Sequence, residues 1–322
     1  MSKSSNLKIL VITPVKHING VADKLLEIGS TTFFDDPVEY DIQKIISEYD
    51  IIFTNPNKSK IFLGKKILKN AKKLKIICTA STGTNHIDLD HLKKRKISVI
   101  SLTEERHIIN SISSTAEHAF TLTMASVRNL IDAHDHVLRG RWNYEPFIGR
   151  QMDGLTIGII GYGRLGSLYA KYCKAFGSKI IVFDPYKKIF DSGIEQVQNI
   201  DEVFLSSDVI SLHVHVSKET TGMIDKSSFQ KMKSNVLIIN TSRGEIINED
   251  DLVRFLSKNE LAKVATDVLS NEIIDRAKSP LLKYAKLSKQ LLITPHIGGM
   301  TKEAQEIAYN HAARLLKKFL KK

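Results

Sequence analysis

The sequence is poor in residues that staple or anchor a chain. Only two cysteines occur in 322 residues, Cys78 and Cys173, each inside an apolar stretch. That excludes a disulfide framework and a cysteine-based metal cluster, and both are expected as small buried thiols in a reducing compartment. No apolar run reaches the roughly 18 residues that would span a bilayer. The opening Met1-Ser2-Lys3-Ser4-Ser5-Asn6 has no apolar stretch of the kind a secretory leader carries. The expected location is cytoplasmic, with no membrane partner and no bound metal. Aromatic residues are also sparse, 7% with a single tryptophan. The 47 lysines and arginines give a net charge of +12 but lie singly or in pairs such as Lys65-Lys66 and Lys93-Lys94. Without a basic stripe interleaved with aromatics, this charge reads as a solvated surface that attracts anions in general, and no nucleic-acid partner is expected.

What remains is the composition of an ordinary globular protein, 42% hydrophobic and 25% charged, at a length that suits two domains. Apolar runs alternate with helical periodicity, the pattern of parallel sheets covered by helices on both faces. One series of runs occupies 7–13, 51–53, 74–79 and 97–101. A second begins at 155 and continues through 155–160, 179–183, 209–213, 236–240, 264–267 and 291–294. Continuous Ile/Val/Leu runs of this kind suit strands buried on both sides. Between the series, 113–139 contains neither proline nor glycine and is expected to form one long helix crossing between domains. Its apolar content also suits a subunit interface. A final amphipathic helix is expected over 301–320, with lysines at its C-terminal end.

The strongest local motif is Gly161-Tyr162-Gly163-Arg164-Leu165-Gly166. Glycine-rich loops are common, so the context decides: a strand-like run precedes it, a helical run follows, Gly177 stops that helix, and the next strand-like run closes on Asp184. In such a unit the glycines permit a tight turn and close approach to a pyrophosphate, the helix N-terminus supplies N–H donors, and the acid accepts from ribose hydroxyls. An acid there repels a 2′-phosphate, so NAD is the expected cofactor.

Hydride exchange at a carbonyl needs more than the dinucleotide. It needs a proton carrier, a group to hold that carrier, and a cation for carboxylate and carbonyl oxygens. Three strand-like runs end on such residues: Arg243 after 236–240, Asp267 and then Glu272 after 264–267, and His296 after 291–294. Singly, each has an ordinary surface or turn role. Together at the carboxyl ends of strands in an open α/β sheet, they are candidates for one crevice.

These segments, with Ser81-Thr82-Gly83-Thr84-Asn85-His86-Ile87-Asp88, Thr115-Ala116-Glu117-His118 and Gly140-Arg141-Trp142, resemble the D-isomer-specific 2-hydroxyacid dehydrogenases along essentially the whole chain. The resemblance implies an α/β fold in which a Rossmann nucleotide-binding domain (104–294) is inserted into a flavodoxin-like substrate domain (1–103 and 295–322). It implies NAD-dependent oxidation or reduction at C2 of a 2-hydroxy or 2-keto acid, and a homodimer. Arg243, Glu272 and His296 fall on the family's catalytic arginine, acid and histidine. Arg164, Leu165, Asp184, His213, Val214, Thr241, Ser242, Asp267, Gly298 and Gly299 join Gly161, Gly163 and Gly166 as cofactor contacts. Thr82 and Gly83 fall on the loop that receives the substrate carboxylate, with Arg243, and Lys58 on a loop facing the distal end of the substrate. Glu272 argues against formate as substrate, since formate dehydrogenases carry glutamine there. The chain departs from the family at Ile273, where proline usually follows the acid, and at His215, where proline usually stands. The similar C-terminal-binding corepressors retain much of this constellation, so a second expectation is an NAD-sensing binding module.

Overall fold

A computed structural model describes residues 7–56 and 61–321. The chain divides into two compact units, one formed by Met1–Ile112 with Gly299–Lys322 and the other by Ser113–Gly298. The first unit ends at 112 rather than 103 and resumes at 299 rather than 295. The additional residues include a short helix, Arg106–Ile109, that belongs with this unit.

The first unit holds a five-stranded parallel sheet of β1 (Lys8–Val11), β2 (Ser30–Phe33), β3 (Ile51–Thr54), β4 (Ile76–Thr79) and β5 (Ser98–Ile100), in the order β2-β1-β3-β4-β5. That is the flavodoxin-like order. Alternation along the strands builds two cores. Ile9, Val11, Ile51 and Phe53 join Tyr309, Ala312 and Leu316 of the final helix on one face, while Leu10, Ile12 and Ile52 join Ile42, Ile46 and Ile67 on the other.

The second unit holds seven parallel strands: β6 (Thr156–Ile160), β7 (Lys179–Phe183), β8 (Ile194–Gln196), β9 (Val209–Leu212), β10 (Leu237–Asn240), β11 (Lys263–Thr266) and β12 (Leu291–Ile293). Their order is β12-β11-β10-β9-β6-β7-β8, a Rossmann sheet with one added edge strand. Again both faces are covered, Ile157, Ile159, Ile180 and Ile239 on one, Ile160, Ile210, Leu212 and Ile238 on the other. Each fully buried side chain of this size contributes about 1.5–3 kcal/mol of apolar burial.

Two strands escaped the sequence reading, β2 and β8. Both lie at sheet edges and read Ser-Thr-Thr-Phe and Ile-Glu-Gln, without the apolar run of a central strand. The single helix expected over 113–139 is two, Ser114–Val127 and Leu130–Leu138. The break falls at Asn129, which adopts the left-handed conformation (φ 51°) and is held there through its side chain, whose Nδ2 donates to the Ile148 carbonyl (3.3 Å) and whose Oδ1 accepts from the Lys263 ammonium. Asparagine tolerates this conformation better than most residues, so a helix breaks without glycine or proline. No described helix is long and apolar enough to cross a membrane, and both cysteines are buried.

Candidate active site

The glycine-rich loop follows β6, beside the point where strand order reverses between β6 and β9. Gly161 takes φ +91°, and a Cβ there would lie 2.8 Å from the His213 carbonyl oxygen. A Cβ on Gly166 would lie 2.1 Å from the Gly161 carbonyl oxygen. These two glycines close the turn onto the strand end after β9. Gly163 differs: a Cβ on it would meet nothing within 4 Å. It is the N-cap of the helix Arg164–Ala175, so a ligand can approach the start of that helix closely. This is the cradle a pyrophosphate needs. Thr241, after β10, has a buried hydroxyl oxygen with no partner among the described residues. These features fit a dinucleotide.

Asp184 follows β7, where the cofactor-reading acid is expected. Its carboxylate accepts from the amides of Tyr162 (2.8 Å) and Tyr186 (3.0 Å) and so binds the glycine-rich loop to its own. Lys187 reaches the Tyr162 carbonyl oxygen (3.1 Å). His213 pairs with the Ser211 hydroxyl (2.9 Å) and packs on Tyr169, and burial of its ring lowers its pKa to about 3, keeping it neutral. Val214 follows it, and its carbonyl oxygen accepts from the Ser242 hydroxyl.

Strands β10, β11 and β12 are adjacent, and the proton-transfer and cation candidates follow their carboxyl ends. Arg243 sits in a loop fixed by Asn240, whose carboxamide accepts from the Ser242 amide (3.0 Å) and donates to the Arg243 carbonyl (2.9 Å). Gly244 lets this loop touch the next: a Cβ on it would lie 2.0 Å from the Leu269 carbonyl carbon. That second loop carries Glu272. Glu249, buried and raised in pKa by that burial, braces it by accepting from the Ser270 amide (2.7 Å) and the Ser279 hydroxyl (2.8 Å).

His296 and Glu272 meet: the imidazole Nδ1 lies 2.5 Å from a Glu272 carboxylate oxygen. His296 is one of only four non-glycine residues described with positive φ (56°), a costly conformation for a side chain with a Cβ. Asp267 holds it there. Its backbone oxygen accepts from the His296 amide (3.0 Å), and its carboxylate accepts from the amides of Ile297 (2.8 Å) and Gly298 (2.7 Å) and from the Thr294 hydroxyl (2.6 Å). With the Thr294 proton committed to Asp267, the His118 Nε2–H donates to Thr294 (2.9 Å). Burial would raise the Asp267 pKa, but donors from His118, Thr294, Ile297 and Gly298 outweigh it and hold the carboxylate below its ordinary range. The structure therefore gives Asp267 a visible task, fixing the histidine loop, beside its expected cofactor contact.

In the first unit, Thr82 and Gly83 follow β4 in a loop tied by the Ser81 hydroxyl to the Gly83 carbonyl (2.7 Å) and the Thr103 hydroxyl to the Thr82 carbonyl (3.0 Å). Gly299 opens the returning segment of the same unit. Lys58 lies outside the described residues. Sequence reasoning gave no role to His118 or Glu249. His118 stood inside a recognised motif, but its partner is 176 positions away, and Glu249 is one of three acids in the first turn of its helix, with nothing in the sequence to set it apart.

Residues 120–298, more than half the chain, match the family model described as D-isomer specific 2-hydroxyacid dehydrogenase, NAD binding domain. A D-3-phosphoglycerate dehydrogenase of Archaeoglobus fulgidus is 33% identical over 304 residues, 93% of this chain and 54% of the relative. The chain spans about half the length of the phosphoglycerate dehydrogenases it matches first (54%, 58% and 51%). A hydroxypyruvate reductase of Thermotoga maritima is also 33% identical, over 90% of this chain and 92% of its own length. Among solved structures, D-lactate dehydrogenase of Aquifex aeolicus, complexed with NAD and lactic acid, superposes with a TM-score of 0.80 at 29% identity, covering 98% of this chain and 95% of that one.

Proposed function

Because the chain belongs to the D-isomer-specific 2-hydroxyacid dehydrogenase family, whose NAD-binding domain it contains, we propose that it interconverts a 2-hydroxy acid of D configuration and its 2-keto acid, as a cytoplasmic homodimer. The observation that carries this reading is the His296–Glu272 pair at 2.5 Å, built from residues 24 positions apart, with the histidine on a loop pinned by Asp267. A surface ion pair would not require a histidine held at positive φ by a buried carboxylate.

NAD(H), when bound, supplies or accepts the hydride. The remaining work falls to the chain. In the reducing direction, protonated His296 gives its Nε2 proton to the oxygen developing negative charge at C2, while Glu272 accepts from Nδ1–H and stabilises the cationic ring. In the oxidising direction His296 takes that proton back. Arg243 offers a planar, permanently charged fork to the carboxylate and carbonyl oxygens, a task a lysine performs less well. The resemblance assigns the substrate carboxylate to the Thr82 and Gly83 amides as well, and the distal substrate group to Lys58. Asp184 supports preference for NADH over NADPH. The homodimer rests on a run of exposed apolar side chains, Leu138, Trp142, Tyr144 and Ile148, of which Trp142 is 91% exposed.

The test is NADH consumption by the purified protein against 2-keto acids of graded size and charge. Turnover is expected for at least one, and His296→Asn should lower its kcat by about 10²–10⁴-fold while NADH binding survives. Near-normal kcat in that variant, or no turnover with any keto acid, would overturn the reading in favour of an NAD-sensing module.

A further inference from the structure

Glu105, His107 and His311 bring a carboxylate and two imidazoles together in the first unit, and we propose that they bind a divalent cation of the zinc class. The inference is independent of the hydride-transfer reading, and it runs against the sequence-based expectation of no metal. One ligand atom from each residue lies within 4.8 Å of the other two. Glu105 opens the short helix Arg106–Ile109, His107 is its second residue, and His311 comes from the final helix, Lys302–Phe319. The Glu105 carboxylate lies 2.7 Å from His311 Nε2, and the His107 ring stands edge-on to His311 with centroids 5.6 Å apart.

A histidine–glutamate ion pair would account for two of these groups. It does not account for the third. A protonated His311 would sit beside a second imidazole that gains nothing from that charge, whereas a cation uses lone pairs from all three. Two imidazoles and a carboxylate are the donor set of open zinc sites, with the fourth position left to water. Burial is graded in the same sense. The His311 and Glu105 side chains are 12% and 24% exposed, while His107 is exposed and leaves an entry for the ion. His311 Nδ1 is buried without a partner among the described residues, so the ring lacks the outer hydrogen bond that usually orients a ligating histidine. The net charge of +12 also opposes cation binding. Affinity should therefore fall below that of four-ligand structural sites. A bound ion would tie the segment leading to Ile112, where the chain leaves this unit, to the helix that follows its return at Gly299.

The experiment uses the untagged, chelator-treated full chain, titrated calorimetrically with Zn²⁺ alone, with Co²⁺ substitution read by its visible ligand-field bands. One equivalent should bind saturably. His107→Ala, an exposed change that leaves the core untouched, and Glu105→Gln should each weaken binding by at least roughly 10–100-fold, the loss typical of removing even an outer-shell partner. The Co²⁺ bands should disappear with them. Wild-type binding weaker than about 1 mM, or Zn²⁺ that binds both variants as it binds the wild type, would overturn the assignment.

Discussion

The loop after β6 and the loop after β12 both present chemistry at the carboxyl edge of the same sheet, but they are shaped by different means. The first is local. Gly161, Gly163 and Gly166 lie within six consecutive positions, and two of them are glycine because a Cβ would strike backbone oxygens at 2.8 and 2.1 Å. The second is assembled from a distance. His296 takes a conformation its own side chain disfavours, because Asp267, about thirty positions earlier, binds the amides that follow it. Glu272 and His118 complete it from 24 positions away and, through Thr294, from 176. A loop determined by missing atoms should break when one atom is added. A loop determined by a buried anion should break when one charge is removed.

The largest expected effect tests the first half. Gly161→Ala places a methyl group against His213 and Val214 at φ +91°. The strain costs about 1–3 kcal/mol, and because the loop must move to relieve it, NADH affinity should fall by about tenfold or more. Fluorescence titration with NADH measures this. Unchanged affinity would mean that the loop does not form the cofactor cradle.

Asp267→Asn tests the second half. The amide cannot accept from every donor now aimed at Asp267, and leaving one buried donor unmatched costs about 1–3 kcal/mol. The sign of the pH dependence follows from the lowered pKa. An acid whose folded pKa lies below its unfolded value stabilises the fold above the unfolded pKa, near 3.9, and loses that contribution as pH falls through the folded pKa. Wild type should therefore exceed the variant in urea denaturation at neutral pH, and the gap should narrow below about pH 4. A gap independent of pH would sink the charge-based account. The variant should also lose kcat, since His296 is no longer pinned.

Glu272→Gln should have the smallest effect of the three on the fold and a specific one on turnover. The charge-assisted hydrogen bond to His296 contributes about 1.5–3 kcal/mol, so kcat should drop by about 10–100-fold with NADH affinity unchanged. Equal loss of cofactor affinity would show that Glu272 acts through loop structure rather than on the imidazole.

The sequence by itself determined whatever is carried by short-range pattern. Continuous Ile/Val/Leu runs marked ten of the twelve described strands because a strand covered on both faces must be apolar at every position. The glycine motif marked its own loop because backbone sterics act within a few residues. Arg243 and His296 were legible because each follows a strand end at short range. Tertiary structure decided the rest. It added β2 and β8, whose edge positions release them from the apolar rule, and it broke the helix at Asn129, which hydrogen bonds hold in a left-handed conformation. It gave Asp267, His118 and Glu249 their tasks, and it brought Glu105 and His107 to His311 across about two hundred positions. A hydrogen bond or a ligand set depends on distance in space. Residues far apart along the chain acquire that distance only when the sheets and helices between them have packed.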